Sequence, residues 1–464
     1  MYFTSLKIGL GYIDLLIGFI LSIIVLWIYN YYNDLSIFPL LYIPIVYVLL
    51  FVFCLRIERH ISTPVFLVVN ALYFLRYFAF PLSVIIFMPS YYLLRNEEGT
   101  LLLLYEEFFV FAAFLLLVKK RKMPTFYKLD TINLKREIRY IRYSLVLLLV
   151  ICLFLFLINP LWFNSYHFID NIGNEMVESV LSEKESLQAS HSFLDTLAFM
   201  IIYVTYLLIP AYFAIVLFLR YKRKPSYFIF LLALFIPIFC SMMFIIDTDR
   251  GGIILRAAAT MFLVMRLFPG KKKHIMRLTY FPAFLLVLYL ILSRSFDSDV
   301  TKMEPEVLMV EYMQSYLANI KNCTDALLSY SQYGDLVNYM TPINDILGNV
   351  PILSHFSDSS NSCATYLANT LNRSDQVLPL VGNGLFYFGY PLSPILIFLT
   401  VGLLLKIDEL YLKESNPLGI YVYSYAAVQI AFCHYQNVQL IFLYLTCMIA
   451  PIWLLYKLVK FVSK

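Results

Sequence analysis

Runs of apolar residues long enough to cross a bilayer, each closed by a short polar or basic break, recur from end to end of the sequence. A helix needs about 20 such residues to traverse a hydrocarbon core of roughly 30 Å. On that criterion spans fall at 8–29, 37–55, 64–88, 100–118, 143–161, 194–219, 227–246, 252–268, 276–293, 385–405, 417–433 and 438–456. The pattern predicts an all-α fold, a polytopic transmembrane helical bundle of about twelve spans, because an isolated segment satisfies its backbone in lipid only as a helix. Spans one to nine occupy 1–293, a large extracytoplasmic loop occupies 294–384, and spans ten to twelve occupy 385–464. The first run, Ile8 to Tyr29, is longer than a signal-peptide core and has no small-residue cleavage site behind it, so it reads as a retained span.

Composition removes the alternative of a soluble fold. Of 464 residues, 61% are hydrophobic and 14% charged, whereas soluble domains carry roughly 25% charged residues. The net charge of +5 matters less than its placement. Lys119, Lys120, Arg121, Lys122, Lys128, Lys135, Arg136, Arg139 and Arg142 crowd the connection after the fourth span, which the positive-inside rule assigns to the cytoplasm. Two spans earlier stand Arg56 and Arg59, and later even steps bring clusters at 220–224, 266–277, 406–413 and 457–464. The alternation predicts a multi-pass protein of the cytoplasmic membrane with both termini inside and long loops outside at 160–193 and 294–384. The basic clusters are read as orientation signals and contacts to membrane lipid, with no nucleic acid as partner.

The 294–384 loop is too long for a simple connector. Val307, Val310, Met313, Leu317 and Ile320 recur at spacings of three and four, which predicts an amphipathic helix over 306–330 lying on the bundle as a lid. Five of the seven cysteines, Cys54, Cys152, Cys240, Cys433 and Cys447, fall in or near apolar runs without metal-ligand spacing. Cys323 and Cys363 share the long loop, where an oxidising compartment would permit a disulfide. Their pairing stays open.

Candidate chemistry concentrates at the outer rim, where positive charge opposes the orientation rule. Arg250 lies in the turn Asp249-Arg250-Gly251-Gly252, whose glycines allow close backbone approach, and Arg294 opens the long loop three residues before Asp297. Two guanidinium forks at similar depth match the oxygens of a pyrophosphate and would stabilise it as a leaving group. The alternative pairs Arg250 with Asp247 or Asp249, and Arg294 with Asp297. Arg256, one turn into the eighth span, is a third contact for the same anion. Arg76, deep in the third span, calls for a partner in Glu106 or Glu107. Further acids, bases or sugar ligands are Asp249, Asp297, Glu304, His355, Asp358 and His434, supported by Asn361, Asn383, Gln436 and Asn437. No glycine-rich phosphate loop, zinc helix or nucleophile-elbow serine is present, so ATP-driven and metalloprotease roles lack support, and no cofactor or metal is expected.

Three stretches carry a resemblance: Phe78-Ala79-Phe80-Pro81-Leu82-Ser83 in the third span, Asp249-Arg250-Gly251-Gly252-Ile253, and Gly382-Asn383-Gly384-Leu385-Phe386-Tyr387-Phe388-Gly389. With the span number and the late position of the large loop, the chain resembles the Wzy-type polysaccharide polymerases, the O-antigen or oligosaccharide repeat-unit polymerase family. It departs at 434–437, where His434-Tyr435-Gln436-Asn437 stands in a turn that often holds an arginine in that family. The resemblance implies a GT-C-like membrane glycosyltransferase. Such an enzyme moves a growing glycan from one undecaprenyl-pyrophosphate carrier to a repeat unit on another, without metal or nucleotide sugar, beside a flippase and a chain-length regulator. Arg250 and Arg294 would hold the departing pyrophosphate and His355 would activate the acceptor. Two rivals stand beside it, a lipid-linked oligosaccharide flippase or other transporter, and a related polysaccharide ligase.

Overall fold

The computed structural model of this chain describes residues 40–49, 63–87, 97–119, 129, 134–163, 166–168, 193–242, 244–246, 250–279, 310, 317–350, 353–372, 377–433 and 436–463. These residues are helical apart from turns and one two-stranded ribbon. In chain order the helices are α1 (Leu40–Leu49), α2 (64–87), α3 (Glu97–Lys119), α4 (Leu134–Ile158), α5 (Phe193–Arg223), α6 (Tyr227–Met242) and α7 (Arg250–Leu267). They continue with α8 (Ile320–Tyr333), α9 (Met340–Leu347), α10 (Cys363–Leu371), α11 (Leu380–Phe388), α12 (Ile395–Lys413), α13 (Pro417–Cys433) and α14 (Val438–Ser463).

Among the described residues, four helical stretches, Val68–Phe87, Leu134–Ile158, Leu194–Arg223 and Val438–Ser463, are long and apolar enough to cross a membrane. Gly252–Leu267 and Pro269–Thr279 add a fifth if this pair, bent by 109°, counts as one. The chain therefore has the make-up of a helical membrane protein. The expected span at 8–29 and most of that at 276–293 lie outside the described residues. Helix α13 is the axis of the bundle, buried along almost its whole length and packed against α7, α12, α2 and α14.

Two expected spans are interrupted for local reasons. Gly389 adopts a positive φ of 73°, and Pro391 and Pro394 follow, so 385–405 divides into α11 and α12. The Gly382-Asn383-Gly384 stretch therefore sits inside a helix rather than at the end of a loop. A Cβ on Gly382 would meet Ala326 of α8, and one on Gly384 would strike the Ser393 backbone. The span at 227–246 ends as a helix at Met242. Phe244–Ile246 then pairs antiparallel with Tyr166–Phe168, in the register Tyr166↔Ile246.

A buried ion pair joins the bundle to the 317–320 segment. Within α2, Phe74–Ala79 form a π turn that carries Arg76 and Tyr77 into the interior. Arg76 donates to Glu106 Oε1 of α3 from Nε at 2.9 Å and Nη2 at 2.7 Å, and Tyr77 Oη donates to the same oxygen at 2.6 Å. The remaining Arg76 Nη1 donates to the carbonyls of Leu317 and Ala318, the latter at 2.7 Å, and Asn319 Nδ2 returns a bond to Arg76 O at 2.8 Å. Ala318 takes φ 45° at this point, and the Asn319 side chain accepts from Ile320 N to start α8. The helix expected over 306–330 is thus broken at 318–319. Of the two expected partners for Arg76, Glu106 is the one used. Cys323 and Cys363 are free thiols, each buried in its own environment.

At the opposite end of α12, Glu414 accepts from Tyr456 Oη, Asn416 N, Ser415 N and Lys460 Nζ. Burial pushes this carboxyl up, but those bonds and the lysine outweigh it and hold it below the ordinary glutamate value.

Two outcomes follow from these contacts. Arg76→Ala leaves Glu106 buried without its cation and lowers stability by about 3–5 kcal/mol, and Arg76→Met with Glu106→Leu recovers only part of that loss, because the carbonyls of Leu317 and Ala318 and the Tyr77 hydroxyl lose their partners. Thermal melting in detergent measures both. Because the folded Glu414 carboxyl is depressed, its stabilisation is complete above pH 4.5 and is lost as pH falls through the lowered value. A pH series of melting temperatures shows that decline, and Glu414→Gln flattens it.

Candidate functional site

The antiparallel packing of α7 on α13 places a buried polar cluster inside the bundle. Ser424 Oγ donates to Ala259 O at 3.1 Å, which fixes the register. Arg256 of α7 is only 1% exposed and lies over the Tyr206 ring of α5, with Cζ 5.3 Å from the centroid. Tyr421 and Tyr425 of α13 lie within electrostatic reach of the same guanidinium. Tyr203 and Tyr425 share a hydroxyl hydrogen bond of 2.7 Å, and Gln429 Nε2 donates to Tyr425 Oη at 2.8 Å. Tyr206 Oη donates to Ser241 O at 2.8 Å. Thr260 Oγ1 donates to Arg256 O at 2.9 Å and bonds with Ser241 Oγ at 2.7 Å.

Two buried atoms of this cluster, Tyr421 Oη and Gln429 Oε1, lack a hydrogen bond of good geometry among the described residues. Thr260, whose hydroxyl donates to Arg256 O, stands beside Tyr421. Guanidinium and aromatic hydroxyl donors suit an anion, and the tyrosine faces suit a sugar ring.

A second cluster holds the 338–371 segment against the ends of α11 and α14. Asp345 of α9 is fully buried and accepts from Tyr387 Oη at 2.6 Å, Gln439 Nε2 at 2.8 Å and Cys363 N at 3.1 Å. Asn361 Oδ1 accepts from Thr341 Oγ1 at 2.6 Å and Tyr366 Oη at 2.9 Å, while its Nδ2 donates to Asn338. Asn383 Oδ1 accepts from Val438 N at 3.1 Å, and Thr446 Oγ1 donates to Asn349 O at 3.2 Å. Burial, followed by the neighbouring Asp345 carboxylate, pushes the Cys363 thiol well above its ordinary value, which makes it a poor nucleophile. Asp358, by contrast, is exposed and is held below the usual carboxylate range by the Ser360 hydroxyl and N–H.

The structure brings Asn361 and Asn383 to one latch and uses their side chains to hold it. Arg256 joins the buried tyrosine cluster, and Gln436 is buried at the turn before α14. Arg250 and Gly251 open α7, and His355 lies in the short helical turn Leu353–Phe356, but the side chains of Arg250 and His355 are not among those described. Asp249, Arg294, Asp297, Glu304 and His434 lie outside the described residues altogether. No group of three His, Cys, Asp or Glu side chains among the described residues converges as metal ligands.

Sequence reasoning passed over Tyr203, Tyr206, Tyr421, Tyr425, Gln429 and Asp345. The usable signal was Tyr421-Val422-Tyr423-Ser424-Tyr425 with Gln429, a polar run within an otherwise apolar span. Asp345 carried no comparable mark, because its partners Tyr387 and Gln439 stand far along the chain. Comparison with models of protein families, with curated sequences and with solved structures finds no match.

Asp345→Ala strands three donors, which costs about 1–3 kcal/mol for each donor left unpaired. Cys363 then reacts with a maleimide at least ~10-fold faster, while Cys323, on α8, stays protected. Thiol-labelling mass spectrometry reads both sites in one sample. Equal rates in the variant and the parent would contradict the latch.

Proposed function

We propose that this chain is a membrane glycosyltransferase that polymerises undecaprenyl-pyrophosphate-linked oligosaccharide repeat units on the outer face of the cytoplasmic membrane. This is the activity of the Wzy-type polymerases, which the sequence resembles, and the product is a capsular, O-antigen or exopolysaccharide chain. The observation that supports it best is that one chain holds both a segment latched by a buried carboxylate and a buried arginine–tyrosine cluster. Asp345 ties the 338–371 segment to Tyr387 and Gln439, and Arg256 lies among tyrosines along the bundle-forming α7 and α13.

In the reaction, an acceptor hydroxyl attacks the anomeric carbon of the donor glycan. A new carbon–oxygen bond forms, the bond from that carbon to the pyrophosphate oxygen breaks, and its electron pair leaves with the phosphate. Arg250 and Arg294 neutralise that developing charge, with Arg256 as a third cation, and His355 takes the hydroxyl proton. Asp249, Gly251, Asp297, His434 and Gln436 border the sugar path. Asn361 and Asn383 act through the wall they hold in place.

A flippase or other transporter is the second reading, because Glu106 Oε2 and both oxygens of Glu107 are buried without hydrogen-bond partners among the described residues. Buried carboxyls of that kind mark ion pathways in transporters. Deletion separates the readings by what accumulates: lipid-linked single repeats facing outward for a polymerase, inward-facing repeats for a flippase, and unattached long polymer for a ligase.

Arg250→Ala and Arg294→Ala each cut long-chain glycan about 10²–10³-fold, the range for removing one donor to a developing oxyanion. Single repeats on lipid persist. Gel profiles of extracted glycan measure this, and normal polymer in both variants would remove the pyrophosphate site.

A further inference from the structure

Among the described membrane-length helices, α4 is the most exposed. Only 11% of its membrane-length window is buried, against 67% for the corresponding window of α5. Its inner face is short and specific: Leu134, Glu137, Ile141 and Leu145 are buried, and Cys152 meets Thr205 of α5 at 3.4 Å. Its outer face follows one line. Lys135, Arg139, Arg142, Val146, Leu149 and Leu153 are all exposed, and at 3.6 residues per turn they lie within about 60° of a common stripe.

The stripe is basic for its first two turns and apolar from there to Leu157, which is 72% exposed. From Val146 to Leu157 the apolar part rises about 17 Å, close to half of a roughly 30 Å hydrocarbon core. A cationic headgroup site is therefore continuous with a groove wall one leaflet deep.

The neighbouring helices reinforce the same end. The Cys152–Thr205 contact, together with Trp162 Nε1 just after α4 donating to Asp195 at the start of α5 at 2.7 Å, sets α4 and α5 antiparallel, so the exposed Arg220, Lys222 and Arg223 at the end of α5 stand beside the basic turns of α4. Helix α14, which packs along α4, also turns apolar side chains outward and ends in lysines, with Lys457 over the Trp453 ring at 5.2 Å.

We infer that the outer stripe of α4 is a docking site for an anionic diacyl phospholipid, the headgroup phosphate on Lys135, Arg139 and Arg142 and one acyl chain along Val146, Leu149 and Leu153. Charge complementarity favours this occupant over a second copy of the chain, because a two-fold contact would set the three cations against their own kind. The apolar stripe also lacks the small residues that let membrane helices approach closely. The site involves none of the residues assigned to glycan transfer and stands or falls independently of that reading.

The full-length protein in zwitterionic detergent, titrated with fluorescent phosphatidylglycerol and with fluorescent phosphatidylcholine, tests the site. Phosphatidylglycerol is expected to bind saturably and the zwitterionic lipid weakly. Each cation near a membrane surface contributes about fivefold to lipid binding, so Lys135→Gln with Arg139→Gln and Arg142→Gln weakens it about 10²-fold. Lys135→Arg with Arg139→Lys and Arg142→Lys retains it, and melting temperatures of both triple variants check that the fold survives. Equal binding of the two lipids, unchanged binding by the glutamine variant, or a dimer formed through α4 in place of lipid would each overturn the inference.

Discussion

A charged group in an apolar bundle must find its counter-charge and its hydrogen bonds within the protein, and the Arg76–Glu106 pair is where this chain meets that demand. Neither residue is exposed. The guanidinium uses one edge on Glu106 and the rest on the carbonyls of Leu317 and Ala318. One side chain thereby unites α2, α3 and the segment that begins α8. The π turn around Arg76 and the left-handed Ala318 are the backbone adjustments that let the donors and acceptors meet. Gly99 of α3 extends the contact, since a Cβ there would collide with Thr324 of α8.

The Asp345 latch repeats the principle some distance along the same segment. A buried carboxylate again gathers donors from separate elements, here α10, α11 and α14. Between the two anchors, α8 lies against α3 and α11, and α10 packs on α8.

Hydropathy made most helices legible. The spans expected at 100–118, 194–219, 252–268 and 417–433 coincide within a few residues with α3, α5, α7 and α13, because uniform apolar runs have no other stable form in lipid. Helix α4 begins nine residues before the expected 143, since Leu134 and Glu137 pack inward while the basic stripe between them faces out. Hydropathy averaging hides that two-sided pattern. The division of α11 from α12 was carried by Gly389, Pro391 and Pro394, but a mean over the window outweighed them. The candidate site was legible only in part. Arg256 announced itself as a cation in an apolar run, while Tyr203, Tyr421 and Tyr425 read as ordinary span aromatics until packing set them around it.

If buried polar contacts fix the 320–371 segment to the bundle, its amides are shielded as though they belonged to a span. Hydrogen–deuterium exchange of the intact protein in lipid nanodiscs measures this directly. The account predicts that amides of Ile320–Tyr333 exchange as slowly as those of Pro417–Cys433. Exchange of that helix at the rate of an open loop would contradict it.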